Sequence, residues 1–326
     1  MYIFDAHSDI WMKSVNEKRL GNENYFMNTH FPKLKEGKIL GGIFVVYTRT
    51  DEKVDPVRYF WKEIGGVIGE IRELKEKDAP IDFIKFYSEI EIAMKKGHFF
   101  ALMGLEGLSG IEGDIEQINT LYNLGFRHAS LTWNEENHFA AGAAIEDDSK
   151  GVTPLGEEAI KLMDKLGMML DVSHLNQRSF WDVTEIWKKP IIASHSNSNA
   201  IFHHRRNIND EQAKAIAKSG GVIGVNACGE FLHKDNPQIN CYLDNIEHLV
   251  SIAGLEAVGI GFDFCDFLGS GSLGPDELTT KDVEGLEDIT TGGAVLEGLK
   301  ARGFSSEDIE KIAHGNFLRV IKELIQ

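Results

Sequence analysis

The sequence has only three cysteines, Cys228, Cys241 and Cys265, an odd number with no C-x-x-C spacing. That excludes a disulfide-built scaffold and reads as free thiols in a reduced compartment, so a cytoplasmic location is expected. Positive charge is also scarce. Thirty-four Lys and Arg face 51 Asp and Glu, for a net charge of −17. A surface of that sign repels phosphate backbones and argues against a nucleic-acid partner. No apolar run reaches the ~18 residues of a membrane span. No basic segment precedes MYIFDAH, so neither a signal peptide nor a membrane association is expected. No G-x-G-x-x-G follows a candidate strand, which weakens a dinucleotide-binding reading. Internal repeats, low-complexity tracts and linkers are missing too.

What is present is ordinary globular material, 42% hydrophobic over 326 residues, enough for a large core. Eight short apolar runs recur: 2–6, 41–47, 99–105, 127–132, 167–173, 190–195, 220–227 and 257–264. They are continuous rather than alternating, the pattern of parallel strands buried on both faces. Amphipathic helical patterns separate them, at 56–76, 114–123, 156–166, 177–187, 209–219 and 242–253. Two more close the chain, at 292–302 and 305–324. Strand–helix alternation eight times over predicts a (β/α)8 TIM barrel, with an open doubly wound sheet as the runner-up. The expected organisation is one domain, 1–326, with 292–326 as C-terminal helices packed on the barrel. The Gly- and acid-rich segment 268–290 is expected to be a mobile loop over one barrel mouth.

In such a barrel the active site is built at the C-terminal ends of the strands. There the sequence places His7 and Asp9, Glu106, Trp133, Asn134 and Asn137, His174, His195, Asn226 and Asp263. In DAHSD, His7 and Asp9 are two apart and point to one side of an extended chain. With Glu106, His174 and His195 they form a set of nitrogen and oxygen donors suited to Zn²⁺ or a similar divalent ion. Five ligands exceed the three of a usual one-metal catalytic site, and a bimetal site bridged by Glu106 uses them all. Asp5 reads as a group orienting one of the ligands. A single histidine after a strand is more often packed or solvated than metal-bound, and Asp171 could simply cap a turn. His203 and His204 read as solvated or orienting groups, and His30, His98, His233, His248 and His314 fall off the rim. The joint placement of ligand types on strands 1, 3, 5, 6 and 8 carries the metal reading.

The motifs DAHSD, GLEG, LDVSH, ASHS, RRN, GIGFDF and GLED stand in the order and spacing of the membrane (renal) dipeptidase family, the M19 metallopeptidases. GVTPLG and GNFLRV match as well, so the chain resembles that family over nearly its whole length, in a soluble bacterial-type form. The resemblance implies a (β/α)8 barrel with two zinc ions, one held by His7, Asp9 and Glu106, the other by Glu106, His174 and His195. Glu106 would bridge them together with a water or hydroxide. It implies Asp263 as the proton-handling catalytic residue, and Arg206 as the grip on a substrate carboxylate. One departure stands out. The best-known members read L-T-H where this chain has Leu131-Thr132-Trp133, so Trp133 replaces a histidine that contacts the substrate, with Asn137 or His138 as candidate substitutes.

The function expected is therefore zinc-dependent hydrolysis of dipeptides. Small-molecule dipeptides would be the partners, and a homodimer is compatible with the sequence. The alternatives are a related amidohydrolase or lactonase-type metallohydrolase, for which a neutral substrate would not need Arg206, and a catalytically weak binding relative.

Overall fold

A computed structural model describes residues 1–48, 50, 54–267 and 282–326. In chain order the strands are β1 (Ile3–Ser8), β2 (Ile39–Tyr47), β3 (Ile81–Ile84), β4 (Phe99–Glu106), β5 (Phe126–Ser130), β6 (Met169–Asp171), β7 (Ile192–Ala193), β8 (Val222–Val225) and β9 (Val258–Ile260). The helices between and after them are α1 (Ile10–Arg19), α2 (Phe31–Glu36), α3 (Pro56–Glu76), α4 (Tyr87–Lys96), α5 (Glu116–Leu124), α6 (Pro154–Leu166), α7 (Gln177–Ile186), α8 (Asp210–Lys218), α9 (Gly229–Leu232), α10 (Ile239–Ala253), α11 (Ala294–Ala301), α12 (Ser306–Glu310) and α13 (Asn316–Leu324).

The helices begin where their first residues can satisfy orphan amides. Asp55 accepts from the Arg58 amide ahead of Pro56, Thr153 from Gly156, and Asn209 from Gln212 in a reciprocal capping box. Gly167 ends α6 at φ +74°, a left-handed turn into β6 that a side chain would strain.

Eight of the strands pair in parallel in the order β1-β2-β4-β5-β6-β7-β8-β9. The ring nearly closes across β1 and β9: the Asp263 amide donates to the His7 carbonyl at 3.2 Å, and Asp5 Oδ1 accepts from the Phe262 amide at 2.8 Å. This is the expected TIM-barrel architecture, and all eight expected strands are present. β2 and β4 are buried along almost their whole lengths, as strands covered on both faces must be. At Gly261 a Cβ would lie 1.8 Å from the Ser194 carbonyl oxygen, so only glycine lets β7 and the end of β9 approach this closely.

Three differences from the expected element order have physical reasons. β3 is an extra strand, a four-residue element pairing only with β4. Helices α1, α2 and α4 fill the stretches after β1, before β2 and after β3. The pattern at 305–324 is one helical stretch in three parts, α12, a π-turn at Lys311–Gly315 and α13. Its apolar stripe packs on β8 and β9. The loop expected over 268–290 lies outside the described residues as far as 281. From 282 on, the chain makes short bridges at Glu284 and Leu286, and Lys33 pairs with Asp288 at 2.9 Å.

Candidate metal centre

β1 and the turn after it carry His7 and Asp9. Glu106 ends β4, His174 follows β6, His195 follows β7, and Asp263 follows β9. The barrel brings all six together around the Glu106 carboxylate and His7. Glu106 Oε1 lies 2.9 Å from His174 Nε2, 3.5 Å from His7 Nε2 and 3.7 Å from His195 Nε2. His7 Nε2 is in turn 3.6 Å from Asp9 Oδ2 and 3.8 Å from Asp263 Oδ1. Among the described residues two triads have donor atoms within 4.8 Å of one another, His7–Glu106–His195 and His7–Asp9–Asp263. Asp263 thus sits among the His7 and Asp9 donors. Both His174 (φ +71°) and Asp263 (φ +58°) hold left-handed backbone. That conformation costs a non-glycine residue energy and is concentrated at functional sites.

The networks behind the ring decide which imidazole nitrogen is free. Ser194 gives its hydroxyl proton to Asp171, so Ser194 Oγ accepts from His195 Nδ1–H at 2.7 Å. His174 Nδ1 donates to Asn134 Oδ1 at 2.9 Å. Both histidines are thereby left with a lone pair on Nε2, the form a metal ligand needs. Those two Nε2 atoms stand 2.8 Å apart, and two lone pairs facing at that distance repel unless a cation or proton lies between them. Asp171 is itself locked by the Ser173 and Ser194 amides and by His128 Nε2 at 3.1 Å. Asp5 accepts from backbone amides of His7 and Phe262, so it holds the β1–β9 seam and the His7 main chain rather than a ligand ring.

Charge in the cluster is unbalanced. Burial alone would lower the His7 pKa, but Glu106, Asp9 and Asp263 around it raise it to about 10. Burial pushes Glu106 well above the usual carboxylate range, and burial with nearby Asp9 lifts Asp263 to about 6. His174 and His195 fall well below the ordinary histidine value through burial, reinforced by Arg206 and His7, and stay neutral. Both ring nitrogens of His7 and Asp9 Oδ1 are buried without a hydrogen-bond partner among the described residues. Buried polar atoms left unpaired are costly. The donor set, three imidazoles with carboxylates, is that of a divalent cation site, and the residues fit one.

The remaining expected residues divide. Arg206 is 5% exposed. Among the described residues its Nη2 donates only to the His195 carbonyl, at 3.4 Å, and its Nε has no hydrogen-bond partner. Trp133 packs edge-on to Tyr47 at 5.2 Å and lies 5.8 Å from the His174 ring, against the cluster. Asn137 is used elsewhere. Its amide nitrogen donates to Ser109 Oγ in the turn after β4 and to the Leu131 carbonyl, and its oxygen accepts from Phe139 and Ala140 in the loop after β5.

Sequence reading missed His128, Ser194 and the full part played by Asp171. The available signal was an aspartate inside the apolar run MMLDVS, which caps the turn at Ser173 as expected but is also buried against His128 and Ser194. Asn226 donates to Asp263 Oδ2 at 2.9 Å while its own oxygen accepts from the Cys228 amide, which fixes the amide's orientation.

A family model described as membrane dipeptidase, peptidase family M19, matches residues 1–326. An uncharacterized dipeptidase of Schizosaccharomyces pombe is 26% identical over 98% of this chain and 80% of its own length. A Klebsiella pneumoniae protein known from the pqqA 5′ region is 33% identical over 68% of this chain and 81% of its own. Among solved structures, a Rhodobacter sphaeroides metallopeptidase liganded with a phosphinate mimic of the dipeptide L-Ala-D-Ala has the same fold. It superimposes with a TM-score of 0.85 at 22% identity over 99% of both chains. No helix among the described residues is long and apolar enough to cross a membrane. With its family matched from the first residue to the last, the chain belongs to the membrane dipeptidases, the M19 metallopeptidases, and is a hydrolase of that family.

Proposed function

We propose that this chain is a cytoplasmic two-zinc dipeptidase. The observation that carries the substrate class is Arg206, a buried guanidinium with no ion-pair partner among the described residues, next to the cluster. A buried unpaired charge is destabilising. The free carboxylate of a dipeptide would supply the missing partner in bidentate form. The dipeptide mimic held by the Rhodobacter sphaeroides relative supports the same class.

His7, Asp9, Glu106, His174 and His195 would hold the two ions, with Glu106 shared between them. Bound zinc supplies the Lewis acidity that ionises water near neutral pH and polarises a carbonyl. Asp263 takes the proton of the attacking water and returns it to the leaving amine, a role suited to a carboxyl whose pKa lies near 6. Asn226 keeps Oδ2 of Asp263 occupied and so aims Oδ1 at the cluster. Trp133 and Tyr47 form an aromatic wall beside His174. Trp133 fills space that a histidine would leave open and narrows the range of dipeptides accepted.

A dipeptide library assayed on zinc-loaded wild type and Arg206→Ala tests this reading. Wild type should turn over a restricted set of small dipeptides. A charge-assisted pair is worth about 1.5–3 kcal/mol, so Arg206→Ala should raise KM by about 10-fold or more. Dipeptide amides should be poor substrates for both. Equal wild-type rates on acid and amide would remove Arg206 from this role and favour a lactonase- or amidohydrolase-type substrate. No turnover of any dipeptide would defeat the dipeptidase reading.

A further inference from the structure

β4 has two edges and three partners. β2 runs along one edge from Phe100 to Glu106. On the other, β3 pairs as far as Leu102 and β5 takes over at Met103, with a register shift before Gly104. At this handover β3 leaves towards α4 while β5 arrives from α5, and a cavity of about 420 Å³ opens under α3. Its walls are Ile68, Ile71, Phe83, Ile84, Met103 and Leu124. Met103 is three residues before Glu106, so the two side chains leave opposite faces of β4. The slot is therefore separate from the metal centre and shares no residue with it.

The rim of the slot is cationic on a chain whose net charge is −17. Arg72 is matched by Glu76 at 3.8 Å. Lys75 and Lys85 also line the slot and have no carboxylate partner among the described residues. The Lys75 ammonium stands 5.4 Å from the Phe83 ring centroid, and the Lys85 stem crosses Gly125, where an added Cβ would lie 3.0 Å from Cε. An apolar slot with two ammonium groups at its mouth that no carboxylate among the described residues matches is complementary to a hydrocarbon tail ending in a single negative head. The volume lies within the roughly 300–1,000 Å³ of small-molecule sites.

We propose that this slot binds a medium-chain fatty acid, its tail against Ile68, Ile71 and Met103 and its carboxylate between Lys75 and Lys85. Calorimetric titration of the zinc-loaded protein with hexanoate, octanoate, decanoate and decanol at physiological ionic strength tests it. One site should appear, with affinity rising about 4-fold per added methylene. Decanol and the Lys75→Glu/Lys85→Glu variant with decanoate should each bind at least 10-fold more weakly. Ile68→Trp, which fills the slot, should abolish binding, and Arg206→Ala should leave it unchanged. Circular dichroism of each variant verifies the fold. No saturable binding, equal affinity for decanol and decanoate, or indifference to the lysine changes would overturn the proposal. Loss of decanoate binding in Arg206→Ala would place it in the substrate site instead. A wild-type dimer in sedimentation velocity that Ile68→Trp turns into monomer would assign the slot to a second copy of the chain and equally overturn it.

Discussion

Ser194 has one hydroxyl proton to give, and Asp171 takes it. The consequence reaches His195, whose Nδ1 must then donate and whose Nε2 is left bare for a cation. Burial works against an ionised Asp171, yet His128, Ser194 and Ser173 together hold its pKa well below the usual carboxylate range. It is thus an anion at every pH where the enzyme would operate. Asp171→Asn keeps the size but loses the charge, and one of its two polar ends must offer N–H where an acceptor is needed. Partners behind a ligand typically matter 10–100-fold in metal affinity. If the proposed two-zinc site holds, Asp171→Asn should therefore weaken binding of the ion held by His195 by about that factor, lowering bound zinc from two towards one per chain by elemental analysis after dialysis. A variant that keeps full zinc content at limiting free metal would show that the Ser194 contact alone sets the His195 tautomer.

Among elements, legibility in the sequence followed burial. The eight barrel strands stand out as continuous apolar runs because both faces are covered. β3 does not, since IDFI is four residues long, carries Asp82 and is half exposed at its centre. α1 starts at Ile10 directly after Asp9, whose side chain makes no cap bond to the helix. The candidate ligands were legible because imidazoles and carboxylates at strand ends have few other reasons to coincide. The groups that orient them were less so, because a serine or a buried aspartate has many bland explanations until its neighbours are known. Asn137 shows the converse. A polar residue on the rim reads as a substrate contact, but both ends of its amide are bound, within the loop after β5 and to Ser109 after β4. Asn137→Ala should then act on the loop and not selectively on substrate. Net hydrogen-bond contributions of about 0.5–1.5 kcal/mol each, partly replaced by water, give a loss of about 1–3 kcal/mol. The check is a lower midpoint in urea at an unchanged m-value. Intact stability together with a raised KM would return Asn137 to the substrate.

For the molecule as a whole, the barrel concentrates negative charge at one mouth. Asp9, Glu106 and Asp263 converge on His7 in a protein already at −17. Without a cation, the cluster lowers its own repulsion by holding protons, on His7 up to about pH 10 and on Glu106 well above the usual carboxylate value. A divalent ion requires His7 neutral and Glu106 ionised, so its binding must expel those protons. The sign follows directly: affinity rises with pH, by about 10-fold per unit for each proton released. Chelator competition at pH 6.5, 7.5 and 8.5 should show zinc binding tightening across that range. Calorimetry in buffers of different ionisation heat should count between one and two protons released per cluster filled. Stability should follow occupancy. A ligand at 100 times its Kd adds about 2.7 kcal/mol, so stripping zinc should lower Tm at pH 8.5. At a fixed low free-zinc concentration the same removal should cost less at pH 6.5, where protons already stand in for part of the metal's charge. A zinc affinity flat across these pH values would mean that His7 enters the apo-protein neutral, and that Asp9, Glu106 and Asp263 are screened by some other cation than the imidazolium between them.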